Sequence, residues 1–481
     1  MSISRRGQLG IPQPLGLADR VVTVPRKLTQ RLRAGKPPQA RGPSRPAVYL
    51  ATMFGALITI GTVLLLLPIA TESGATDFVT ALFTATSAVC VTGLVVVSTA
   101  DHWTSFGEAV ILTLIQTGAL GFVTGAVMIM TLAGRRTSSR EQLLFGHTFG
   151  QDQPGGLMGL VWRVAIFTVL AQAVGFSFLL WHVSSDAMVE NPIWWSVFHA
   201  VSSFTNAGFN IEPGFGSMAR LANDTGALAV LGILSVTGGL GFTVLFEVLR
   251  RRRWRRFGLE TRLVLTTMAV VSALGFLVLL ILAPTFGGAV TDGDTGNRIL
   301  TAAFQTVSRT SGLSSINFGA LGLDALIAIM LLMFVGGASA SVAGGVTVNT
   351  VGVLFVASLS HIRGRRVPEA FGRTIANVTV TRSLTIVMLS AACVFLTTLV
   401  VGVAERDSGY PLGSLLFESI SAFAVVGYST GITPNLSVAS KIALVIAMFV
   451  GRLGALTLAQ ALVTRSRPHV VKLPEEAIKV G

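Results

Sequence analysis

The sequence predicts an all-α polytopic membrane protein, with four span–pore helix–span repeats arranged around a central pore in pseudo-fourfold symmetry, eight transmembrane units in all. Three observations predict it. The 481 residues are 51% hydrophobic and only 12% charged, with a mean hydropathy of +0.71, whereas soluble domains carry about 25% charged residues. Eight apolar runs, charge-free but for Arg452, approach or exceed the roughly 20 residues that cross a bilayer. Four short segments, one in each quarter of the chain, end in a turn centred on a single glycine.

The eight runs lie at 48–70, 109–132, 165–181, 227–246, 263–282, 325–359, 384–404 and 442–461. The formal net charge of +14 sits in blocks beside them. The blocks precede span one (Arg26, Lys27, Arg31, Arg33, Lys36, Arg41, Arg45) and follow span two (Arg135, Arg136, Arg140) and span four (Arg250, Arg251, Arg252, Arg253, Arg255, Arg256). They recur after span six (Arg363, Arg365, Arg366) and span eight (Arg465, Arg467). Basic loops stay in the cytosol, so a multi-pass plasma-membrane chain with both termini cytoplasmic follows, and nucleic acid is excluded as the reason for the charge. The alternate links carry Glu72, Asp77, Asp101, Asp186, Glu190, Asp292, Asp294, Glu405 and Asp407, an outer surface that concentrates cations. Trp194 and Trp195 read as anchors at the outer membrane interface.

Between the spans of each pair lies a helix too short to cross, at 77–88, 194–203, 299–307 and 411–423. Each is followed by a glycine turn and then the next span, so it enters and leaves from the outer side. Such backbone is tolerated at membrane depth only where protein or water surrounds it. The inward C-terminal ends carry the equivalent of about −0.5 charge each, which favours a cation and disfavours an anion. The turns hold Gly93, Gly208, Gly312 and Gly427, spaced by 115, 104 and 115 residues. Four such turns around one axis can present main-chain carbonyls, the groups that replace a potassium ion's hydration shell. Glycine supplies the backbone freedom and close approach, and Thr92, Asn206, Thr310 and Ser311 are placed to hold the turns through side-chain to backbone bonds.

These stretches also carry a family resemblance. ATSAVCVTGL, HAVSSFTNAGF, FQTVSRTSGL and FESISAFAVVGYSTGITPNLS resemble the four filter segments of the Trk/Ktr/HKT superfamily of potassium transporters. QTGALGFVTG and GGLGFTVLFE resemble its glycine-rich segments in spans two and four, and MFVGRLGALTL with the terminal PEEAIKVG is more similar to the KtrB branch than to the TrkH branch. The resemblance covers residues 48–481. It implies a K+ filter from the backbone of Cys90, Val91, Thr92 and Gly93; Thr205, Asn206, Ala207 and Gly208; Arg309, Thr310, Ser311 and Gly312; and Ala424, Val425, Val426 and Gly427. K+ would be the transported ion, with Na+ as an activator. The partners implied are a second copy in a homodimer, membrane lipids and a cytosolic ring of KtrA-type nucleotide-binding subunits. The chain itself lacks a phosphate-binding G-x-x-x-x-G-K-[ST] loop, so no nucleotide is expected on it. Two departures stand out: Cys90 where threonine is frequent, and Tyr428 after the fourth glycine where leucine is usual. Gly93, replaced by serine in the related plant sodium transporters, favours potassium.

Two gate elements complete the reading. Gly336, Gly337, Ala338, Ser339, Ala340, Ser341, Gly344 and Gly345 interrupt span six, and each interior glycine costs a helix about 1 kcal/mol relative to alanine. A flexible intramembrane loop is expected there, with Arg452, the one charge in span eight, facing its carbonyls. The chain divides into a basic N-terminal tail at 1–47, read as disordered, and repeats at 48–140, 141–256, 257–366 and 367–481, the last with a cytosolic C-terminal tail. Paired catalytic acids, a nucleophile with its base and metal-ligand spacing are missing from the spans, so no enzyme is expected and His147, His199 and His361 read as packing residues. The rival reading is an ion-coupled symporter that alternates access around broken helices.

Overall fold

The computed structural model describes residues 45–134, 157–184, 191–214, 224–282, 295–365 and 367–454, with isolated positions between. These all belong to one compact unit. Residues 1–44 of the expected N-terminal tail, the C-terminal tail, the block at Arg135, Arg136 and Arg140, and the acidic Asp186, Glu190, Asp292 and Asp294 lie outside the described residues; 45–47 begin the first helix.

The elements are helical apart from one two-residue hairpin. In chain order they are α1 (Arg45–Leu65), α2 (Phe78–Cys90), α3 (Ser105–Gly134), α4 (Leu157–Val183), α5 (Pro192–Thr205), α6 (Thr225–Gly239), α7 (Phe242–Arg251), α8 (Leu259–Leu282), α9 (Thr295–Ser308), α10 (Leu323–Phe334) and α11 (Val348–Ile362). The hairpin β1 (Glu369–Ala370) and β2 (Arg373–Thr374) follows, then α12 (Asn377–Ala404), α13 (Leu412–Ala424) and α14 (Val438–Leu453). Among the described residues, α4, α8 and α12 contain helices long and apolar enough to cross a membrane, and α6 with α7 qualifies as a bent pair. Large apolar side chains stand exposed along them, including Trp162, Ile166 and Phe178 on α4, Leu274 and Ile281 on α8, and Met388, Phe395 and Val403 on α12. Apolar surface on that scale marks contact with lipid. The molecule is a multi-pass membrane protein.

The short helices occupy the interior. α2, α5, α9 and α13 have 13, 14, 14 and 13 residues, about 20 Å each at 1.5 Å per residue, well short of a roughly 30 Å hydrocarbon core. Local chemistry starts them. The Asp77 carboxylate accepts from the Val79 and Thr80 N–H groups at 3.0 and 3.1 Å, and the Asn191 side chain accepts from Trp194 N–H at 3.1 Å with Pro192 opening the helix. Both are N-caps that satisfy the orphan donors of a first turn. From Phe83 to Cys90 on α2 every side chain is buried.

One expectation about the spans is corrected. Span four is not one helix: α6 and α7 meet at a 100° bend, where Gly241 takes φ +79°. The polar backbone freed by the bend is bonded by the segment between α10 and α11, since Ala338 N–H donates to Gly239 O at 2.9 Å and Phe242 N–H to Ala340 O at 3.3 Å. Irregular backbone survives at membrane depth only with such partners. The described helix of span eight, α14, stops at Leu453 with Gly454 at φ +81°, which puts Arg452 in its last turn; residues 455–461 of that run lie outside the described residues.

Candidate functional site

The four turn glycines meet in a closed cycle. A methyl group placed on Gly93 would lie 2.8 Å from the Gly208 Cα, one on Gly208 2.9 Å from the Gly312 Cα, one on Gly312 3.3 Å from the Gly427 Cα, and one on Gly427 3.0 Å from the Gly93 Cα. Each such methyl would also meet a carbonyl oxygen of the residue before the next glycine: Ala207, Ser311, Val426 and Thr92 in turn. All four glycines have positive φ, between +72° and +97°. A side chain is thus excluded by conformation and by space. Segments separated by more than a hundred residues form one small ring of main chain.

Three of the turns are built alike. α2, α5 and α13 end in left-handed residues, Val91, Asn206 and Val425, at φ 62°, 59° and 56°. For a β-branched valine this is a costly conformation that the surroundings must impose. After each, a paired motif closes the helix: Val91 and Thr92 N–H donate to Ala88 and Ser87 O, Asn206 and Ala207 N–H to Ser203 and Ser202 O, and Val425 and Val426 N–H to Ala422 and Ser421 O. A serine six residues before the glycine adds a clasp. Gly93 N–H donates to Ser87 Oγ and Gly427 N–H to Ser421 Oγ, both at 3.1 Å, while Ser202 Oγ donates to Phe209 O at 2.6 Å. This Ser-x5-Gly spacing was available in the sequence and was missed. Of the residues expected to hold the turns, Asn206 donates to Ser235 O at 3.1 Å and accepts from Thr310 Oγ1 at 3.0 Å, and Ser311 Oγ donates to Ser308 O. Thr92 does not: its hydroxyl is buried without a hydrogen-bond partner among the described residues.

Behind these three turns a following helix packs glycine onto the end of the short one. Gly118 of α3, Gly238 of α6 and Gly451 of α14 lie so close to the carbonyls of Val89, Phe204 and Phe423 that no Cβ fits. Each of those carbonyls belongs to the residue four before the ring glycine. The third turn departs from the pattern. α9 stops at Ser308 with no left-handed cap, and the third turn is closed by Ser311 N–H donating to Ser308 O at 2.8 Å.

Beside the third turn runs residues 335–347, the break in span six. Its ends are zipped by Gly336 N–H to Val346 O at 2.8 Å and Val348 N–H to Gly337 O at 2.9 Å. Its middle holds the bend between α6 and α7, and Gly344 and Gly345 press on Ala424 and Val425 of the fourth turn. Two buried arginines reach it. Arg452, 6% exposed, donates to Val342 O at 2.5 Å and to Gly118 O at 3.3 Å. Arg309, 2% exposed, donates to Val335 O. Neither has a carboxylate partner among the described residues; carbonyl dipoles hold both charges. Arg309 enters the filter expectation through its main chain; its side chain is directed to the span-six break.

On the side where the short helices begin, carboxylates do structural work. Glu418, fully buried on α13, accepts from Ser429 Oγ, Thr430 N–H, Thr430 Oγ1 and Thr433 Oγ1 at 2.7 to 3.1 Å, and so ties down the segment leaving the fourth turn. Asp101 accepts from Gly214 N–H at 2.8 Å; the Ser98 side chain and that amide hold its carboxyl below the usual range. Trp194 Nε1 donates to Glu108 and Trp195 Nε1 to Glu212, both at 2.6 Å. Trp195 is only 3% exposed, stacked 4.0 Å from His199, so it is a packing residue and not the interface anchor expected.

Residues 28–469 match the TrkH family, described as a cation transport protein. The chain belongs to the TrkH family of cation transport proteins. Within it, the chain is 35% identical over 413 residues to the Ktr system potassium uptake protein B of Bacillus subtilis (strain 168), covering 86% of this chain and 92% of that protein. It is 34% identical over 445 residues to the potassium/sodium uptake protein NtpJ of Enterococcus hirae, covering 91% and 97%. The crystal structure of the potassium transporter TrkH from Vibrio parahaemolyticus shares the fold at a TM-score of 0.68 and 16% identity, covering 87% of this chain and 84% of that one. The likeness to the Ktr branch read from MFVGRLGALTL in span eight and the terminal PEEAIKVG agrees with the Bacillus subtilis relative.

Proposed function

We propose that this TrkH-family chain carries K+ across the plasma membrane by passive, gated flow through a pore whose filter is the ring at Gly93, Gly208, Gly312 and Gly427. The observation that carries the reading is the closed contact cycle of the four glycines with a neighbouring carbonyl at each step, the type of donor that substitutes for an alkali cation's water. The inward flow is driven by the membrane potential, worth about 2.3 kcal/mol per charge per 100 mV. No covalent step is required. The names of the two relatives support the cargo, K+ in both and Na+ besides in one.

In this reading the chain forms four span–pore helix–span repeats with eight membrane units and cytosolic termini. Residues 335–347 with Arg452 act as the gate, a positive charge held where cations must pass. Two copies pair, and a KtrA-type cytosolic ring supplies nucleotide control that the chain itself has no loop to bind. The test is growth of a potassium-uptake-deficient bacterium in low potassium, with and without a coexpressed regulatory subunit. Rescue by the unaltered chain that Gly93→Ser abolishes or makes less potassium-selective is the expected result; no rescue in either background overturns the reading.

A further inference from the structure

The residue after each ring glycine is buried: Leu94, Phe209, Leu313 and Tyr428. Only the fourth brings a polar atom. Tyr428 Oη lies 2.7 Å from Ser308 Oγ, one hydroxyl donating to the other, and 3.5 Å from the Gln305 carbonyl. Both partners belong to α9, the short helix of the third turn, so the contact joins two neighbouring quarters of the ring. The phenol ring is clamped as well. Phe318 packs on it at 4.5 Å between centroids, and Phe417 of α13 packs on Phe318 at 5.4 Å. Tyr428, Ser308 and Phe417 are each 2% exposed or less, so the hydroxyl pair is shielded from competing water.

We propose that Tyr428 is a specificity-determining positioning residue, its hydroxyl bond to Ser308 acting as a strut that sets the spacing between the third and fourth turns. The inference rests on the filter reading above. Ser308 serves both sides of the gap: its carbonyl accepts from Ser311 N–H at 2.8 Å and from Ser311 Oγ at 3.1 Å, closing the third turn, while its hydroxyl meets Tyr428. Gly312 and Gly427 touch across the same gap. The strut stands where the scaffold is otherwise thinnest, since the third turn lacks the left-handed cap, the serine clasp and the glycine backing of the other three. A carbonyl ring rejects the smaller alkali cation only as far as it resists contracting onto it. A tie from outside, behind one quarter, supplies that resistance.

The experiment measures Rb+ uptake by cells expressing the full chain, competed by K+ and by Na+, as the ratio of the half-inhibiting Na+ concentration to that of K+. Tyr428→Phe keeps the ring stack and removes the hydroxyl. The expected result is a ratio lowered about threefold to tenfold, the range a single buried hydrogen bond spans, with the melting temperature of the purified protein within a few degrees of wild type. Ser308→Ala lowers the ratio by the same factor, and the double variant lowers it no further. An unchanged ratio in Tyr428→Phe, or losses that multiply in the double variant, overturns the strut while leaving a selective wild type and the filter reading intact. If Tyr428→Phe fails to fold, Ser308→Ala alone decides by the same ratio. A wild type that takes up no Rb+ removes the filter reading and the strut with it.

Discussion

The third turn and the other three present one backbone problem with two solutions. At Gly93, Gly208 and Gly427 the short helix runs one residue further, ends in a left-handed residue, and is backed by a glycine of the following helix pressed on its last carbonyls. At Gly312 the helix ends at Ser308, the following span is broken over 335–347, and a guanidinium, Arg309, bonds the break at Val335 O. Packed glycine contact leaves no slack. A segment held by hydrogen bonds to arginine and by a short backbone zipper can exchange partners at smaller cost. The third quarter carries the longest break, on which the bend of the second leans, while packed glycine locks the other three turns.

The comparison can be broken first at the ring. Gly427→Ala places a methyl 3.0 Å from the Gly93 Cα at a backbone φ of +97°, and the expected outcome is complete loss of potassium-dependent growth, checked by the same rescue assay. Next come the backing glycines. Gly451→Ala is expected to destabilise by about 1–3 kcal/mol, the cost of overpacking, whereas Gly402→Ala on lipid-facing α12, with nothing within 4 Å of the new methyl, is expected to stabilise by about 0.5–1 kcal/mol; thermal unfolding in detergent distinguishes them. Arg309→Met tests the odd quarter. It leaves Val335 O unpaired, with an expected cost of about 1–3 kcal/mol and raised uptake without the regulatory subunit.

A smaller effect separates the clasps. Ser421→Ala removes the acceptor for Gly427 N–H and is expected to cost about 0.5–1.5 kcal/mol. Thr306→Val, at the equivalent position of the third turn, removes only a bond to its own helix at Ala302 O and is expected to cost less; equal losses would erase the distinction between the turns. The smallest expected effect is a pH response at Asp101. Its carboxyl is held below its unfolded value by Ser98 and the Gly214 N–H, so the contact contributes fully above the unfolded pKa and is lost as pH falls through the folded one. Protection of the Gly214 amide from exchange is expected to fall below about pH 4, and Asp101→Asn removes that dependence.

Much of this architecture is written in local pattern. The apolar runs and the half-length helices are periodicity and length, and the glycines that end the turns are visible one at a time. Arg452 stood out because charge in an apolar run is costly. The side-chain role of Arg309 did not, because it lies in a polar segment where an arginine's charge attracts no notice. Span four misled for a related reason: hydropathy is blind to a bend when the residues on both sides of it are apolar, and the partners that make the bend affordable lie about a hundred residues away. Trp195 read as an interface anchor because its buried carboxylate partner, Glu212, lies across a turn.

Read alone, the chain already specifies a membrane protein, the rough placement of its apolar runs and half-length helices, and the four glycines that turn the backbone, since each of these depends on neighbours a few residues apart. Only the tertiary structure decided that those glycines close into one ring in the order 93, 208, 312, 427, that two broken spans satisfy each other's backbone, and that Tyr428 answers to Ser308. Such relations join residues separated by a hundred positions or more, and their energy exists only once close packing has brought the polar groups within bonding distance and excluded water.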